Sequence, residues 1–272
     1  MMPLPSSGAI SLNQIHVEAG GSSGTQASLN DTDIRAIIGK SSGASNAFSE
    51  YYGVSASAPS VSYRGRASTT GNGFPAGYIS LSSGTKVVVV CLQLAGSGNT
   101  YVNLGSSAMT LAAKVDTATP VTGVWGAAYT SAVYYLTTSS SGSVYISGNG
   151  GSGRSSLTVY EVTGYNSATP YTTDTAQQTN LDLSASITVA SQYNGLTIGS
   201  VICEDSFSST GITITNADSI EQVHLESASA HTSWYDAGTP SGNRTYTITQ
   251  TNPGNNVVSG STLFQVTSAS WK

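Results

Sequence analysis

From residue 61 onward the chain is written in short runs in which every second residue is apolar, separated by clusters of Gly, Ser and Asn. "AGYISL", "SGSVYIS", "SASITV" and "GITIT" are examples. A period of two sends successive side chains to opposite faces of an extended strand, so these runs predict half-buried strands and not helices. "KVVVVCLQL" (86–94) is apolar at nearly every position, which predicts a strand covered on both faces at the centre of a sheet, with "SLTVYEVTG" (156–164) nearby. Strands are expected near 61–66, 76–82, 86–95, 100–104, 108–115, 123–136, 143–148 and 155–163, then near 181–189, 195–203, 211–215, 219–226, 230–236, 244–250 and 262–270. Many short strands with Gly-rich turns imply an all-β fold, a jelly-roll-like β-sandwich.

Composition agrees. Only 8% of residues are charged while Tyr occurs 15 times, and the remaining polarity comes from Ser, Thr and Asn. Thr, Tyr and Val suit a pleated surface, and 38% apolar residues in ordered runs argue against disorder. The nine Lys and Arg are scattered through a chain of net charge −5, which leaves no basic stripe for nucleic acid. No apolar run approaches membrane-spanning length. "MMPLPSSGAISL" lacks the charged and apolar regions of a secretory signal, so synthesis and retention in the cytoplasm, or exit without a cleaved signal, is expected. Cys91 and Cys203 lie in apolar runs and read as buried, reduced thiols, and no Cys/His spacing suggests zinc.

A weak internal repeat is visible. "VVVVC" (87–91) matches "GSVIC" (199–203), then "TGVWGAAYTSA" (122–132) matches "HTSWYDAGTP" (231–240), and each copy ends in a hairpin-like pair. Two copies forming the halves of one sandwich is the preferred reading, with two separate small domains as the alternative.

Residues 1–53 follow another pattern and read as an N-terminal arm, with 54–60 a linker and 61–272 the β-sandwich domain. "SLNQIHVEAGG" brings Leu12, Ile15 and Val17 together before a glycine pair. In "SLNDTDIRAIIGK", Ser28 or Asn30 can cap a helix of ~8–10 residues that carries Ile34, Ile37 and Ile38 at helical spacing and stops at Gly39. Phe48, Tyr51 and Tyr52 in "AFSEYYG" form a further apolar set. One or two helices this short are marginal alone, so their apolar residues are expected to pack on a partner.

Few motifs carry chemistry. "GNGGSG" (148–153) satisfies GxGxxG but precedes a strand-like run, which favours a loop over a dinucleotide site. "GGSSG" and "GKSSG" satisfy GxSxG without the strand that a nucleophile elbow needs. His16, His224 and His231 lie in separate contexts, and a Ser–His–Asp triad stays open because geometry defines it. Glu204, Asp205 and Asp218, or Asp174 and Asp182, could meet calcium, although no DxDxDG loop is present. The strongest ligand candidates are aromatic: Trp125 with Tyr129 and Trp234 with Tyr235, at matching places in the repeat, suit stacking on sugars. The competing reading places both tryptophans in the core.

"LPSSGAISLNQIHVEAGG", "SLNDTDIRAIIG" and "AFSEYYG", in that order, resemble the N-terminal segment of many tailed-bacteriophage virion proteins, which share an "LPxSGxISL" start and an "SEYYG"-like close. The resemblance covers residues 3–53. "KVVVVCLQL" and "VNLGSSAMTL" resemble the central strand and hairpin of β-sandwich modules in phage and environmental proteins. The resemblance implies a portable attachment segment on a non-enzymatic virion structural protein, assembled in the host cytoplasm and released by lysis. Leu12, Ile15, Val17, Ile34, Ile37, Ile38, Phe48, Tyr51 and Tyr52 would dock on other virion proteins. The sandwich would project at the tail, fibre or baseplate of a homo-oligomeric assembly and contact host-surface glycan. Capsid decoration or a head fibre is the first alternative, and a glycan-binding module or polysaccharide depolymerase the second. No cofactor, metal, nucleic-acid or membrane partner is expected.

Overall fold

The computed structural model describes residues 4–41, 43–52, 54, 59–70, 73–95, 100–116, 129–149, 154–165, 167–178, 184–191, 194–204, 211–225, 229–239, 242–251 and 263–271.

In the N-terminal unit, α1 (Leu12–Glu18) opens with a capping box. The Ser11 hydroxyl accepts from the Gln14 N–H at 3.2 Å, and the Gln14 side-chain oxygen accepts from the Ser11 N–H at 2.7 Å. The next helix, α2 (Thr32–Ala36), is shorter than its spacing predicts, and its N-cap is Asp31 rather than Ser28 or Asn30. The Asp31 carboxylate accepts from the Ser28 N–H at 2.7 Å and so ties the cap to the preceding turn. Gly39, at φ +70°, ends the helix as predicted: its own N–H and that of Lys40 reach back to the carbonyls of Ala36 and Arg35, both at 3.0 Å. Gly20, at φ +96°, reverses the chain after α1 in the same way.

These reversals fold the unit onto itself. Leu4, Ile15, Ala19, Ile34, Ile37 and Tyr51 form a small buried core, and the Leu4 N–H donates to the Val54 carbonyl at 2.9 Å to join its two ends. The expectation that these apolar residues await a partner is therefore corrected for Ile15, Ile34, Ile37 and Tyr51, which bury one another.

The first run of strands comprises β1 (Ser60–Thr69), β2 (Ala76–Leu81), β3 (Lys86–Ala95), β4 (Tyr101–Leu104), β5 (Ser107–Ala108), β6 (Thr110–Asp116), β7 (Tyr129–Thr138), β8 (Gly142–Asn149) and β9 (Ser155–Thr163). They form a five-stranded sheet in the order β1-β9-β3-β7-β6 and a smaller one in the order β2-β8-β4-β5, antiparallel throughout. The second run comprises β10 (Thr172–Gln178), β11 (Ser184–Ser191), β12 (Gly195–Glu204), β13 (Gly211–Ile214), β14 (Ser219–Leu225), β15 (Ser229–Thr239), β16 (Gly242–Thr251) and β17 (Leu263–Trp271). Its sheets are β10-β17-β12-β15-β14 and β11-β16-β13.

The two orders correspond strand for strand, with β1, β9, β3, β7 and β6 matching β10, β17, β12, β15 and β14. The all-β fold and its internal repeat are thus present, but each copy makes a two-sheet sandwich of its own instead of half of a shared one. The pairs that end each copy, β8 with β9 and β16 with β17, are not hairpins, because their members lie in different sheets.

The copies then meet through their five-stranded sheets. This explains why β3 is apolar on both faces. Val88, Val90, Leu92 and Leu94 turn inward onto Ile79, Leu81, Val102 and Ile146. Val87, Val89 and Cys91 turn outward onto Leu196, Ile198 and Trp271 of the other copy. Each fully buried aliphatic side chain in these layers contributes ~1.5–3 kcal/mol.

Past this apolar part, the junction between the copies is lined by hydroxyls and amides. The Gln93 amide donates to Ser200 Oγ at 2.8 Å and to the Thr232 carbonyl at 3.1 Å, and its oxygen accepts from Ser156 Oγ at 2.7 Å. Ser131 Oγ lies 2.9 Å from Ser200 Oγ and 3.0 Å from Thr267 Oγ1. Satisfied buried polar groups of this kind fix one register between two faces that apolar contact alone would let slide.

The cysteines show where the sequence repeat slips. Cys91 faces the other copy, with Sγ 3.4 Å from the Gly199 carbonyl, whereas Cys203 faces its own sandwich core. Both are free and buried, as expected. The true register follows from Gly142 and Gly242, which both begin a strand at positive φ. Counting back eight residues from each matches Tyr134 with Trp234, and their cross-strand neighbours are Val90 and Gly199. Trp125 lies outside the described residues, so its proposed equivalence to Trp234 is replaced by that of Tyr134.

Candidate functional site

Of the expected sugar-stacking set, Trp125 lies outside the described residues, and the other three members do not present open rings. Trp234 is completely buried, its ring 6.0 Å from that of Tyr246, so it belongs to the core of the second sandwich. Tyr129 is also buried, and Tyr235 is half-buried at the junction with its ring edge-on to Tyr160 at 5.9 Å. Even-numbered β15 residues near Trp234 face inward, while Tyr235 faces the other copy and is only partly open to solvent.

An open aromatic surface lies on the outer face of β2-β8-β4-β5. Ile79, Leu81, Val102 and Ile146 fill the inner face of these strands, so the alternate positions point to water. Tyr78 and Tyr145 are direct cross-strand neighbours, 75% and 43% exposed, with ring centroids 5.2 Å apart in an edge-on arrangement. Farther along the sheet, Tyr101 stands opposite Asn149 and is 48% exposed. The Gly148 N–H donates to the Pro75 carbonyl at 2.9 Å, which extends the β2–β8 register and puts Phe74, 54% exposed, on the other side of Asn149. Between these two aromatic rows lie Ser147 and Asn103, which are register partners.

The chain matches no protein-family model, and comparisons with curated proteins and with solved structures find no match to either.

Sequence reasoning missed this face because it ranked aromatics by size and by their place in the repeat. The available signal was alternation: in "GYISL" and "VYIS" the tyrosines sit on the opposite parity to the isoleucines that fill the core.

A second surface belongs to the N-terminal unit. Of the expected docking residues, Val17 and Phe48 are exposed, while Leu12, Ile38 and Tyr52 are half-buried at the edge of the small core. The Tyr52 hydroxyl donates to the Gly8 carbonyl at 2.6 Å, which pins the end of the unit to its beginning.

The titratable groups are arranged for structure. Ser156 Oγ lies 2.9 Å from His231 Nδ1, the geometry of a nucleophile and its base, but both residues are buried inside the junction, where no substrate can reach them. Burial, with Arg154 and Arg66 nearby, pushes the His231 pKa down to about 3 and keeps the ring neutral. Glu161 is buried and held by Arg64 and by the N–H of Ser82 at 2.8 Å, with Lys86 at 3.9 Å. Asp236 accepts from Arg244 at 2.9 Å and Tyr246 at 2.8 Å, and burial outweighs both to leave its carboxyl above the usual range.

Of the acids weighed for calcium, Asp218 accepts from the Ala237 N–H and Asp174 from the Thr175 N–H. Asp182, Asp205 and the Glu204 side chain lie outside the described residues. Among the described residues, no three His, Cys, Asp or Glu converge to hold a metal. Of the motif matches, "GNGGSG" leads from β8 into the strand β9, and Ser22 and Ser41 each follow a helix end.

Proposed function

We propose that this chain is a non-enzymatic structural protein of a tailed-phage particle, attached by its N-terminal unit and projecting its paired sandwiches outward at the tail, fibre or baseplate. The observation that supports the reading most is the separate core of residues 4–54, which makes the segment carrying the phage-like phrases a module distinct from the sandwiches. Docking then uses the surface of that module. Val17 and Phe48, 37% and 39% exposed, are the large apolar side chains that its core leaves outside, and Leu12, Ile38 and Tyr52 frame them. Burying a small apolar patch on a larger partner gains binding energy without a folding step, because the module is already closed.

The experiment is incorporation into particles. Val17→Asp with Phe48→Asp in the full chain is expected to reduce the protein on purified particles by at least about tenfold, because two carboxylates desolvated at the contact cost more than the ~1.4 kcal/mol that a factor of ten represents. The thermal midpoint of the free protein should stay within a few degrees of the parent. Deleting residues 1–53 should leave a soluble β protein that no longer joins particles. Unchanged incorporation of the deleted form would sink the attachment reading, and a copy number matching that of the capsid subunits would move the site from tail to head.

A further inference from the structure

We propose that the outer face of β2-β8-β4-β5 binds an uncharged glycan, with Tyr78 and Tyr145 stacking at one end and Tyr101 and Phe74 at the other. This extends the structural reading above by a ligand class, and it is tested on the purified chain, independently of any particle.

Four observations converge on it. The first is shape. Tyr145 and Asn149, which neighbours Tyr101, are four positions apart on one strand, so the aromatic rows are separated by ~14 Å. Ser147 and Asn103 form a lower polar floor between them. Pyranose rings present apolar C–H faces to aromatic rings and hydroxyls to amides and alcohols, and a trough with aromatic ends and a polar floor offers both.

The second is charge. β2, β4, β5 and β8 contain no Asp, Glu, Lys, Arg or His at all. An ionic ligand would lose hydration here without gaining an ion pair, so the face suits a neutral one.

The third is that sheet stability does not account for the aromatics. Tyr78 and Tyr145 support each other as a cross-strand pair. Phe74 and Tyr101, however, have no ring partner among the described residues and still place about half of their surface in water.

The fourth is an internal control. Counting from Gly142 and Gly242, Tyr145 corresponds to Thr245, and its neighbour Tyr78 corresponds to Thr188. In the second copy the two threonine hydroxyls lie 2.8 Å apart, and beside them Ser186 and Thr247 pair at 3.1 Å. One sandwich thus covers the same face with hydroxyls that satisfy each other, while its sister presents open aromatic rings.

The test is retention of the full-length protein on an array of neutral hexose and N-acetylhexosamine oligosaccharides, with sulfated and uronate-containing glycans alongside. Parent protein should be retained by at least one neutral glycan. Tyr78→Ala with Tyr145→Ala should weaken that retention by about tenfold or more. Tyr101→Ala, which leaves the cross-strand pair intact, should weaken it several-fold, and Thr188→Ala with Thr245→Ala should leave it unchanged. No retention by any neutral glycan, retention by the charged glycans alone, or indifference to Tyr101→Ala would each overturn the proposal. Self-association in sedimentation that Tyr101→Ala abolishes would overturn it too, by assigning the face to a second copy of the chain.

Discussion

Gly199→Ala is expected to destabilise the folded protein by about 3 kcal/mol, the upper part of the range for overpacking a buried site. A Cβ on Gly199 would fall 2.0–2.3 Å from three ring carbons of Trp234, its direct cross-strand neighbour. The indole cannot yield, because it is completely buried against Tyr246 and the rest of the second core. Urea unfolding followed by tryptophan fluorescence measures the loss. The mechanism is checked by coupling: in a Trp234→Leu background the same alanine should cost far less, giving a large non-additive term in a double-mutant cycle. Additive effects would show that the ring is not what excludes the methyl group. The first copy solves the same space with the opposite partition, Val90 facing Tyr134, so the glycine is needed only where the indole is.

Acid is expected to separate stability from charge at one residue. His231 titrates near its ordinary 6.5 when the chain is unfolded and at about 3 when folded. Between those values the unfolded chain binds a proton that the folded chain refuses, so stability is complete above pH ~6.5 and falls as pH drops toward 3. The full difference is on the order of 5 kcal/mol. His231→Gln retains a polar group for Ser156 but has no proton to gain. Urea midpoints measured from pH 7 to pH 4 should fall more steeply for the parent than for this variant. Parallel slopes would mean that the acid response does not arise at His231.

Much of the architecture is legible in the residues, and what is not has a physical reason. The doubly apolar β3 was bound to be central, and it is flanked by β9 and β7. Gly39 marks the end of α2 because only a residue at ease with positive φ closes that turn. Strand partners are another matter. Alternation states which side chains point inward but not which strand lies alongside, so β8 and β9 read as a hairpin although they lie in different sheets. Face assignment fails through any slip of an odd number of residues, here three, because a period of two converts it into a reversal. That is why aligning Cys91 with Cys203 put side chains on opposite sides of equivalent strands.

The candidate surfaces divide in the same way. Val17 and Phe48 were among the expected docking residues, yet nothing in the spacing of the N-terminal unit separates them from Ile15 and Ile34, since the difference depends on where Gly20 and Gly39 turn the chain. Tyr78 and Tyr145 could have been found by taking the residues that alternate with core isoleucines. The size of Trp234 drew attention to a side chain whose bulk is what places it in the interior.

Only a short connection, between Thr163 and Thr172, separates the two sandwiches in the chain. Held that close, the two junction faces experience an effective concentration in the millimolar range, whatever the dilution of the protein. A pair of separate subunits meeting through the same mixture of valines, hydroxyls and a neutral histidine would come apart as solution became dilute. Fused in tandem they do not, so a single molecule far from any other keeps the outer face of β2-β8-β4-β5 on the same rigid base.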